Sequence, residues 1–244
     1  VKKRLEDIGA AVNLSTPDEF RKVIISDIKG FLDVAKTAGL EAKERSHNKQ
    51  CRNKMAAQLN VLVICGSLRK GSYNAALTRA LPALAPPEIK FVTAPSLGTL
   101  PLYNADIQES SGFPKPAEDL AAAVRAADGV LFVTPEYNWS MPGGLKNAID
   151  WLSRMKEQPF KEKPVAIQSC SQGPLGGARM QYHWRMSMTF LGAFIFGTPE
   201  IFVGNAAAKF DKATLELTDQ PTKDIIKTQL TAFAKFIKRM KAGA

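Results

Sequence analysis

The sequence is poor in the residues that build metal centres and disulfide frameworks. It holds only three cysteines and two histidines in 244 residues. The cysteines, Cys51, Cys65 and Cys170, are odd in number and widely spaced, which argues against a disulfide scaffold and favours a reducing compartment. His47 and His183 lie too far apart in sequence to form a local ligand pair, so no metal site is predicted.

Long apolar runs and aromatic-rich basic clusters are also missing. No run approaches the roughly 20 apolar residues of a membrane-spanning helix, and the N-terminus lacks the apolar core of a secretory signal. The densest basic stretch, Lys43 to Lys54, contains no aromatic residue, whereas nucleic-acid binding favours interleaved aromatics or a known module. We therefore expect a cytoplasmic protein without a membrane or nucleic-acid partner. Its net charge of +10 suits a phosphate-bearing ligand.

The chain beyond residue 58 alternates short β-branched apolar runs with amphipathic stretches, a pattern typical of βαβ units around a parallel sheet. Several runs are apolar without alternation, as expected for strands that helices cover on both faces. The sequence therefore predicts an α/β fold with a doubly wound, five-stranded parallel sheet. The predicted strands are Leu59–Cys65, Ile89–Thr93, Gly129–Thr134, Pro164–Ser169 and Glu200–Val203; the predicted helices are Asn74–Leu84, Pro116–Ala127, Leu145–Met155, Gly177–Leu191 and Thr222–Lys241.

The first 54 residues do not share this rhythm. A capping hydroxyl, Pro17 and two acidic residues predict a helix from Pro17 to Lys36. Residues 5–40 resemble the C-terminal tail of periplasmic tripartite-tricarboxylate-type solute-binding receptors, without the lobes that bind solute. Met55 stands a few residues before the first strand. We expect residues 1–54 to be a helical and basic appendage, acquired by fusion or readthrough and not needed for function, and residues 55–244 to be the functional domain.

A turn rich in small polar residues follows the first strand and reads Gly66-Ser67-Leu68-Arg69-Lys70-Gly71-Ser72-Tyr73-Asn74. It lacks the spacing of a Rossmann dinucleotide turn and the ending of a P-loop. Short donors before a helix N-terminus, together with the charge of Arg69, nevertheless suit a phosphate monoester. The alternative is an ordinary capped loop with a solvated Arg-Lys pair. Its place at the carboxyl end of a strand favours the phosphate, because ligands of open α/β sheets bind there.

Two further loops follow strands at the same predicted edge. The first, Pro135-Glu136-Tyr137-Asn138-Trp139, offers flat apolar surface and amide groups to a planar heterocycle, although aromatic packing would explain it as well. The second, around Ser171, offers hydroxyl and amide groups. Neither Cys170 nor Glu136 is predicted to be catalytic, because no Cys–His–acid set is evident and Glu136 sits in the ring-binding loop.

Gly66–Asn74, Thr134–Ile149 and Asp150–Ser153 together resemble the NADPH-dependent FMN reductase superfamily, most closely the bacterial chromate/quinone reductases. The resemblance covers Leu59 to about Met240. It implies a flavodoxin-like fold, FMN as cofactor, and NADPH or NADH as electron donor. It also implies that the phosphate lies over the first turn and the isoalloxazine against the other two loops. The expected cofactor contacts are Ser67, Leu68, Arg69, Lys70, Gly71, Ser72, Tyr73, Asn74, Pro135, Glu136, Tyr137, Asn138, Trp139 and Ser171.

The same resemblance implies the activity. Electrons would pass from NAD(P)H through bound FMN to quinones, free flavin, chromate or similar acceptors, in ping-pong order. A flavodoxin-type electron carrier and a scaffold with an empty fold are the alternatives; such carriers tend to be acidic, and this chain is basic. The resemblance also implies a homodimer or homotetramer, for which Gly177–His183 is the candidate interface, unless that segment is an ordinary surface helix. Arg69 and Lys70 are expected to attract NADPH or anionic acceptors.

Overall fold

The computed structural model describes residues 22, 25–31, 33–34 and 58–243. The chain divides into two units, residues 1–53 and residues 54–244. In the first unit the described residues are helical, and they fall inside the predicted helix Pro17–Lys36. The structure does not describe either end of that helix, most of the receptor-like segment 5–40, or Met55. The division into an appendage and a functional domain therefore stays a prediction.

The second unit alternates strands and helices in the order that the apolar runs predict. The predicted bounds are correct to within two residues for every predicted element. The strands are β1 (Leu59–Cys65), β2 (Ile89–Thr93), β3 (Gly129–Thr134), β4 (Pro164–Cys170), β5 (Phe194–Ile195) and β6 (Ile201–Val203). The α-helices are α1 (Tyr73–Leu84), α2 (Ala105–Ser111), α3 (Lys115–Ala126), α4 (Gly143–Ser153), α5 (Ala178–Phe190) and α6 (Gln220–Ala242).

All six strands belong to one parallel sheet in the order β2-β1-β3-β4-β5, and β6 also pairs with β4. β5 pairs with the start of β4, where Phe194 lies opposite Pro164. β6 pairs with its end, where Val203 lies opposite Cys170. The fifth position of the sheet is thus shared by two short strands. The sequence predicts only the second of them, because a two-residue strand is too short to show a period.

Helices cover both faces of the sheet, and β3 shows how. Leu131 and Val133 face the apolar layer that includes α1 and α6, whereas Val130 and Phe132 face the layer of α3, α4 and α5. Successive side chains of a strand point to opposite faces, so a strand buried on both sides is apolar at every position. The predicted doubly wound α/β sheet is confirmed.

The short helix α2 was not predicted. Its seven residues bury no side chain, so it leaves no apolar period in the sequence. Asn104 caps it by accepting a hydrogen bond from the N–H of Asp106 at 2.9 Å. Among the helices described above, none has the length and hydropathy of a membrane span.

Candidate functional site

The carboxyl ends of β1, β3 and β4 lie together at one edge of the sheet, and a cavity of about 230 Å³ opens there. Parallel strands end at the same edge, so loops that are distant in sequence become neighbours. The three loops singled out by the sequence line this one space, which we call the rim cavity. Its lining residues are Ser67, Arg69, Ser72, Tyr73, Asn74, Pro135, Glu136, Tyr137, Cys170, Ser171 and Gln172.

Most of the predicted site residues therefore converge. Five predicted contacts do not line the rim cavity, namely Leu68, Lys70, Gly71, Asn138 and Trp139. They belong to the same loops and are exposed. Gln172 lines the cavity but was not predicted as a contact, although its amide suits the hydrogen-bonding edge of a ring.

A larger cavity of about 570 Å³ lies beside the C-terminal ends of α3 and α6. Size alone does not make it the cofactor site. Two helix C-termini concentrate carbonyl groups there, and basic side chains offset them. The ammonium group of Lys163, for example, donates to the carbonyl oxygens of Arg125 at 3.2 Å and Ala127 at 2.5 Å.

Gly66 lets the first turn cross the end of β3 at close range. A Cβ atom at this position would lie 2.0 Å from Oγ1 of Thr134, a distance that no side chain tolerates. The backbone N–H of Gly66 donates to the carbonyl oxygen of Val133 at 2.9 Å. Glycine is required here, because the Thr134 side chain occupies the space that a Cβ atom would need.

The first turn presents unpaired donors. By distance and angle, the backbone N–H groups of Ser67 through Gly71 donate to no other residue in the described part of the chain. The Ser72 hydroxyl oxygen caps α1 by accepting from the N–H groups of Asn74 at 3.1 Å and Ala75 at 3.4 Å. Its hydroxyl hydrogen remains available for a ligand. Such an array at a helix N-terminus fits a phosphate group.

Asn74 lines the rim cavity and also joins two of its loops. Its Nδ2 donates to the carbonyl oxygen of Cys170 at 2.9 Å, and its Oδ1 accepts from the N–H of Cys170 at 3.1 Å. Only 3% of Asn74 is exposed, so its side-chain amide is fully engaged by the backbone. Asn74 thus ties the start of α1 to the end of β4, and holds the first loop in register with the third.

The second loop contains a tight turn from Tyr137 to Ser140. The N–H of each of these residues donates to the carbonyl oxygen of the other, both at 2.9 Å. The central residues, Asn138 and Trp139, have φ values of +50° and +65°. This is the backbone of a type I′ turn, which Asn adopts readily and Trp rarely. Trp139 is 65% exposed.

The carboxylate of Glu136 is engaged by the first turn of α5. Its Oε2 accepts a hydrogen bond from the N–H of Met180 at 3.0 Å, and its Oε1 lies 3.9 Å from Nη1 of Arg179. A carboxylate favours the positive end of a helix. These contacts hold the Glu136 side chain at the cavity wall.

The third loop is fixed between β4 and β6. The N–H of Ser171 donates to the carbonyl oxygen of Val203 at 3.0 Å, and its carbonyl oxygen accepts from Ala206 at 3.1 Å. Before it stands Cys170, which is 1% exposed. Burial raises the pKa of the Cys170 thiol to about 12, so the thiol is neutral and is not a nucleophile.

Two residues of α5 that sequence reasoning did not assign to the site also reach the second loop. The Arg179 guanidinium lies over the Trp139 ring, 4.2 Å from its centroid. Nδ1 of His183 lies 3.0 Å from the hydroxyl oxygen of Ser140. No local pattern signals these contacts, because α5 reaches the loop only through the folding of the sheet.

A turn with unpaired donors, a loop with exposed rings and a hydroxyl loop at the carboxyl edge of a doubly wound sheet are typical of a flavodoxin-like, flavin-binding protein. The donors of the first turn fit a phosphate monoester, and Pro135 and Tyr137 fit the face of a ring. Residues 59–208 match the family model of the NADPH-dependent FMN reductases. The chain belongs to that family.

Comparisons with individual proteins agree. The chain is 51% identical over 187 residues to a quinone reductase of Escherichia coli, and 44% identical over 187 residues to an NAD(P)H-dependent FMN reductase of Pseudomonas aeruginosa. Each alignment covers 77% of this chain and 100% of the relative. The structure is also similar to that of FerB, a flavoenzyme NAD(P)H:(acceptor) oxidoreductase of Paracoccus denitrificans. The TM-score is 0.67 and the sequences are 33% identical, and the match covers 75% of this chain and 98% of FerB. The predicted superfamily and flavodoxin-like fold are confirmed: the chain is an oxidoreductase with FMN as cofactor and NAD(P)H as donor.

Proposed function

We propose that this protein passes electrons from NAD(P)H through bound FMN to quinones in ping-pong order, with free flavin, chromate and similar species as further acceptors. The observation that carries the proposal is the rim cavity, where three loops from three strands line one space. The quinone reductase of Escherichia coli supports the choice of acceptor. When bound, FMN supplies the redox chemistry, since it takes two electrons from a reduced nicotinamide and releases them to an acceptor.

The residues divide the cofactor between them. We assign the phosphate to the backbone N–H groups of Ser67–Gly71 and to the hydroxyl of Ser72, with charge from Arg69. The guanidinium of Arg69 donates to the carbonyl oxygen of Gly71 at 3.1 Å, so it folds over the turn. In the same proposal the predicted contacts Leu68, Lys70, Tyr73 and Asn74 shape the turn.

The isoalloxazine ring lies against the second and third loops in this proposal. Pro135 and Tyr137 offer apolar surface, whereas Ser171 and Gln172 offer hydrogen bonds to the heteroatom edge. Asn138 and Trp139 form the outer part of the second loop, and Glu136 holds that loop to α5. The protein therefore binds and orients the reactants, and we assign no catalytic acid or base.

Steady-state turnover of the FMN-loaded protein with a panel of acceptors, under NADPH and NADH in turn, tests the activity. Quinones should give the highest kcat/KM, and double-reciprocal plots should be parallel. Intersecting lines would exclude the ping-pong order. Arg69→Ala should raise the KM for NADPH more than that for NADH, and equal effects would exclude a role of Arg69 in reading the extra phosphate.

The carrier alternative predicts FMN binding without use of nicotinamide. Family membership favours the reductase. Anaerobic stopped-flow mixing with NADPH separates the two, because a reductase bleaches its bound flavin rapidly and a pure carrier does not. A colourless protein that takes up no added FMN would instead favour a scaffold.

We further propose a homodimer or homotetramer that associates through α5, in continuation of the candidate segment Gly177–His183. Tyr182, Met186 and Phe190 lie four residues apart on one face of this helix and are 55%, 65% and 86% exposed. Aromatic and methionine side chains are typical of interface cores. Met186→Glu should lower the mass in sedimentation, whereas Lys235→Glu on α6 should not; an unchanged mass for Met186→Glu would exclude this interface.

Residues 1–54 are proposed to be dispensable, with function residing in residues 55–244. In support, 187 aligned residues of this chain span the whole length of the Escherichia coli relative. A variant lacking residues 1–54 should keep its flavin content and turnover, and loss of flavin would exclude the idea. Cys65 and Cys170 are both free thiols, which supports a cytoplasmic location; cell fractionation tests it.

A further inference from the structure

The first turns of α5 hold the Tyr137–Ser140 turn at three points. The N–H of Met180 donates to Glu136 at 3.0 Å, just before the turn. The Arg179 guanidinium covers the Trp139 ring at 4.2 Å, and Nδ1 of His183 lies 3.0 Å from the Ser140 hydroxyl oxygen. The turn is therefore supported along its length by a helix that begins 38 residues later.

Trp139 depends on this support more than its neighbours do. It is 65% exposed, so core packing does not fix its ring. In the described part of the chain, Arg179 provides the only cation–π or aromatic contact of this ring. Arg179 is itself oriented, because its guanidinium lies 3.9 Å from the Glu136 carboxylate, which the α5 backbone holds. A chain of contacts thus runs from α5 through Glu136 and Arg179 to the indole ring.

We propose that Arg179 is a positioning residue that fixes the Trp139 ring beside the mouth of the rim cavity and so sets how tightly flat, aromatic acceptors bind. The inference rests on the proposed function. A fixed aromatic wall stacks on a quinone without first losing conformational freedom, whereas a mobile ring must be ordered during binding. Loss of the support should therefore raise the KM of a flat acceptor and leave kcat nearly unchanged.

Arg179 has a second conceivable role, since its charge would attract anionic acceptors directly. A neutral benzoquinone separates the two roles, because charge does not steer a neutral molecule. Arg179→Lys keeps the charge and loses the planar guanidinium that stacks on the indole. Positioning predicts that Arg179→Lys and Arg179→Met both raise the KM for this neutral acceptor, whereas a charge role predicts that neither variant changes it.

The chain offers a matched control. Arg154 lies over the ring of Tyr103 at 5.4 Å, and neither residue lines the rim cavity. With FMN-loaded protein and saturating NADPH, Arg179→Met and Arg179→Lys should each raise the KM for a neutral benzoquinone by about two- to five-fold, the range expected for an exposed cation–π contact. The kcat should stay within about twofold, and Arg154→Met should match the wild type in both constants.

A spectroscopic measurement reads the position of the ring directly. The chain holds three tryptophans, Trp139, Trp151 and Trp184, and the last two are fully buried. Protein labelled with 5-fluorotryptophan should give three fluorine resonances, and Trp139→Phe identifies the one from Trp139. Arg179→Met should shift or broaden this resonance alone, and Arg154→Met should leave it in place.

Two results would overturn the proposal: a Trp139 resonance that does not respond to the loss of Arg179, or a KM for the neutral benzoquinone that Arg179→Met leaves unchanged. Failure of the proposed function looks different, since the wild type would then fail to reduce the benzoquinone at all. The fluorine spectrum would still report whether Arg179 orders the ring.

Discussion

The bidentate contact of Asn74 with Cys170 offers the sharpest test of how the site is built. Asn74→Ala removes both hydrogen bonds that its side chain makes with the N–H and the carbonyl of Cys170. Each hydrogen bond lost from a buried group costs about 1–3 kcal/mol. The site borders a cavity, and water that enters there restores part of the loss. We therefore expect the free energy of unfolding to fall by about 2–4 kcal/mol, and Tm by roughly 5–15 °C.

FMN affinity should fall as well, because Asn74 keeps the phosphate turn in register with the Ser171 loop. We expect the Kd for FMN to rise by about tenfold or more, which corresponds to about 1.4 kcal/mol. Urea unfolding of the apoprotein measures the first effect, and titration of FMN fluorescence measures the second. Both measurements use the full chain, so a variant that folds but binds weakly is still informative.

Asn147 provides the matched control for this experiment. Its Oδ1 accepts from the N–H of Tyr103 at 2.8 Å, and its Nδ2 donates to the carbonyl oxygen of Pro101 at 2.8 Å, away from the rim cavity. Asn147→Ala should cost a similar free energy of unfolding and leave the Kd for FMN within about twofold. The reasoning is refuted if Asn74→Ala is as stable as the wild type, or if both variants weaken FMN binding equally.

Three further predictions follow from single contacts. Gly66→Ala places a Cβ atom 2.0 Å from Oγ1 of Thr134, so it should lower the free energy of unfolding by about 1–3 kcal/mol and abolish most FMN binding. Gly71→Ala, whose Cβ atom would have nothing within 4 Å, should change little in the same unfolding and titration assays. Cys170 should resist thiol reagents at pH 8 until the protein unfolds. Burial raises its pKa from the usual 9.0 to about 12, so its contribution to the free energy of unfolding is complete below pH 9 and declines as the pH rises towards 12. Denaturant titrations should show this decline in the wild type and not in Cys170→Ala. Asp219 caps α6, and its hydrogen bonds to the first turn of that helix lower its pKa below the usual 3.8. Asp219→Ala should therefore lower the free energy of unfolding by about 0.5–2 kcal/mol at pH 7. Thermal unfolding should show the difference between variant and wild type shrinking as the pH falls below 3.8.

The sequence alone determined the sheet and the identity of the three loops. β1 and β3 are apolar at nearly every position, and this local pattern predicts buried parallel strands before any contact is known. The first turn likewise carries its chemistry in adjacent residues, from Ser67 to Asn74. Period and turn composition depend on neighbours in sequence, which is why the predicted strand Ile89–Thr93 matches the structure at both ends.

Only the tertiary structure decided what the individual site residues do. The sequence places Asn74 in the phosphate turn, but only the structure shows that its side chain binds the backbone of Cys170, 96 positions away. Arg179 meets Trp139 because β3 and β4 are neighbours in the sheet and α5 follows β4. The two-residue strand β5 exists only because Phe194 and Ile195 pair with β4. Such contacts depend on the order in which distant strands pack, and no local pattern of residues records that order.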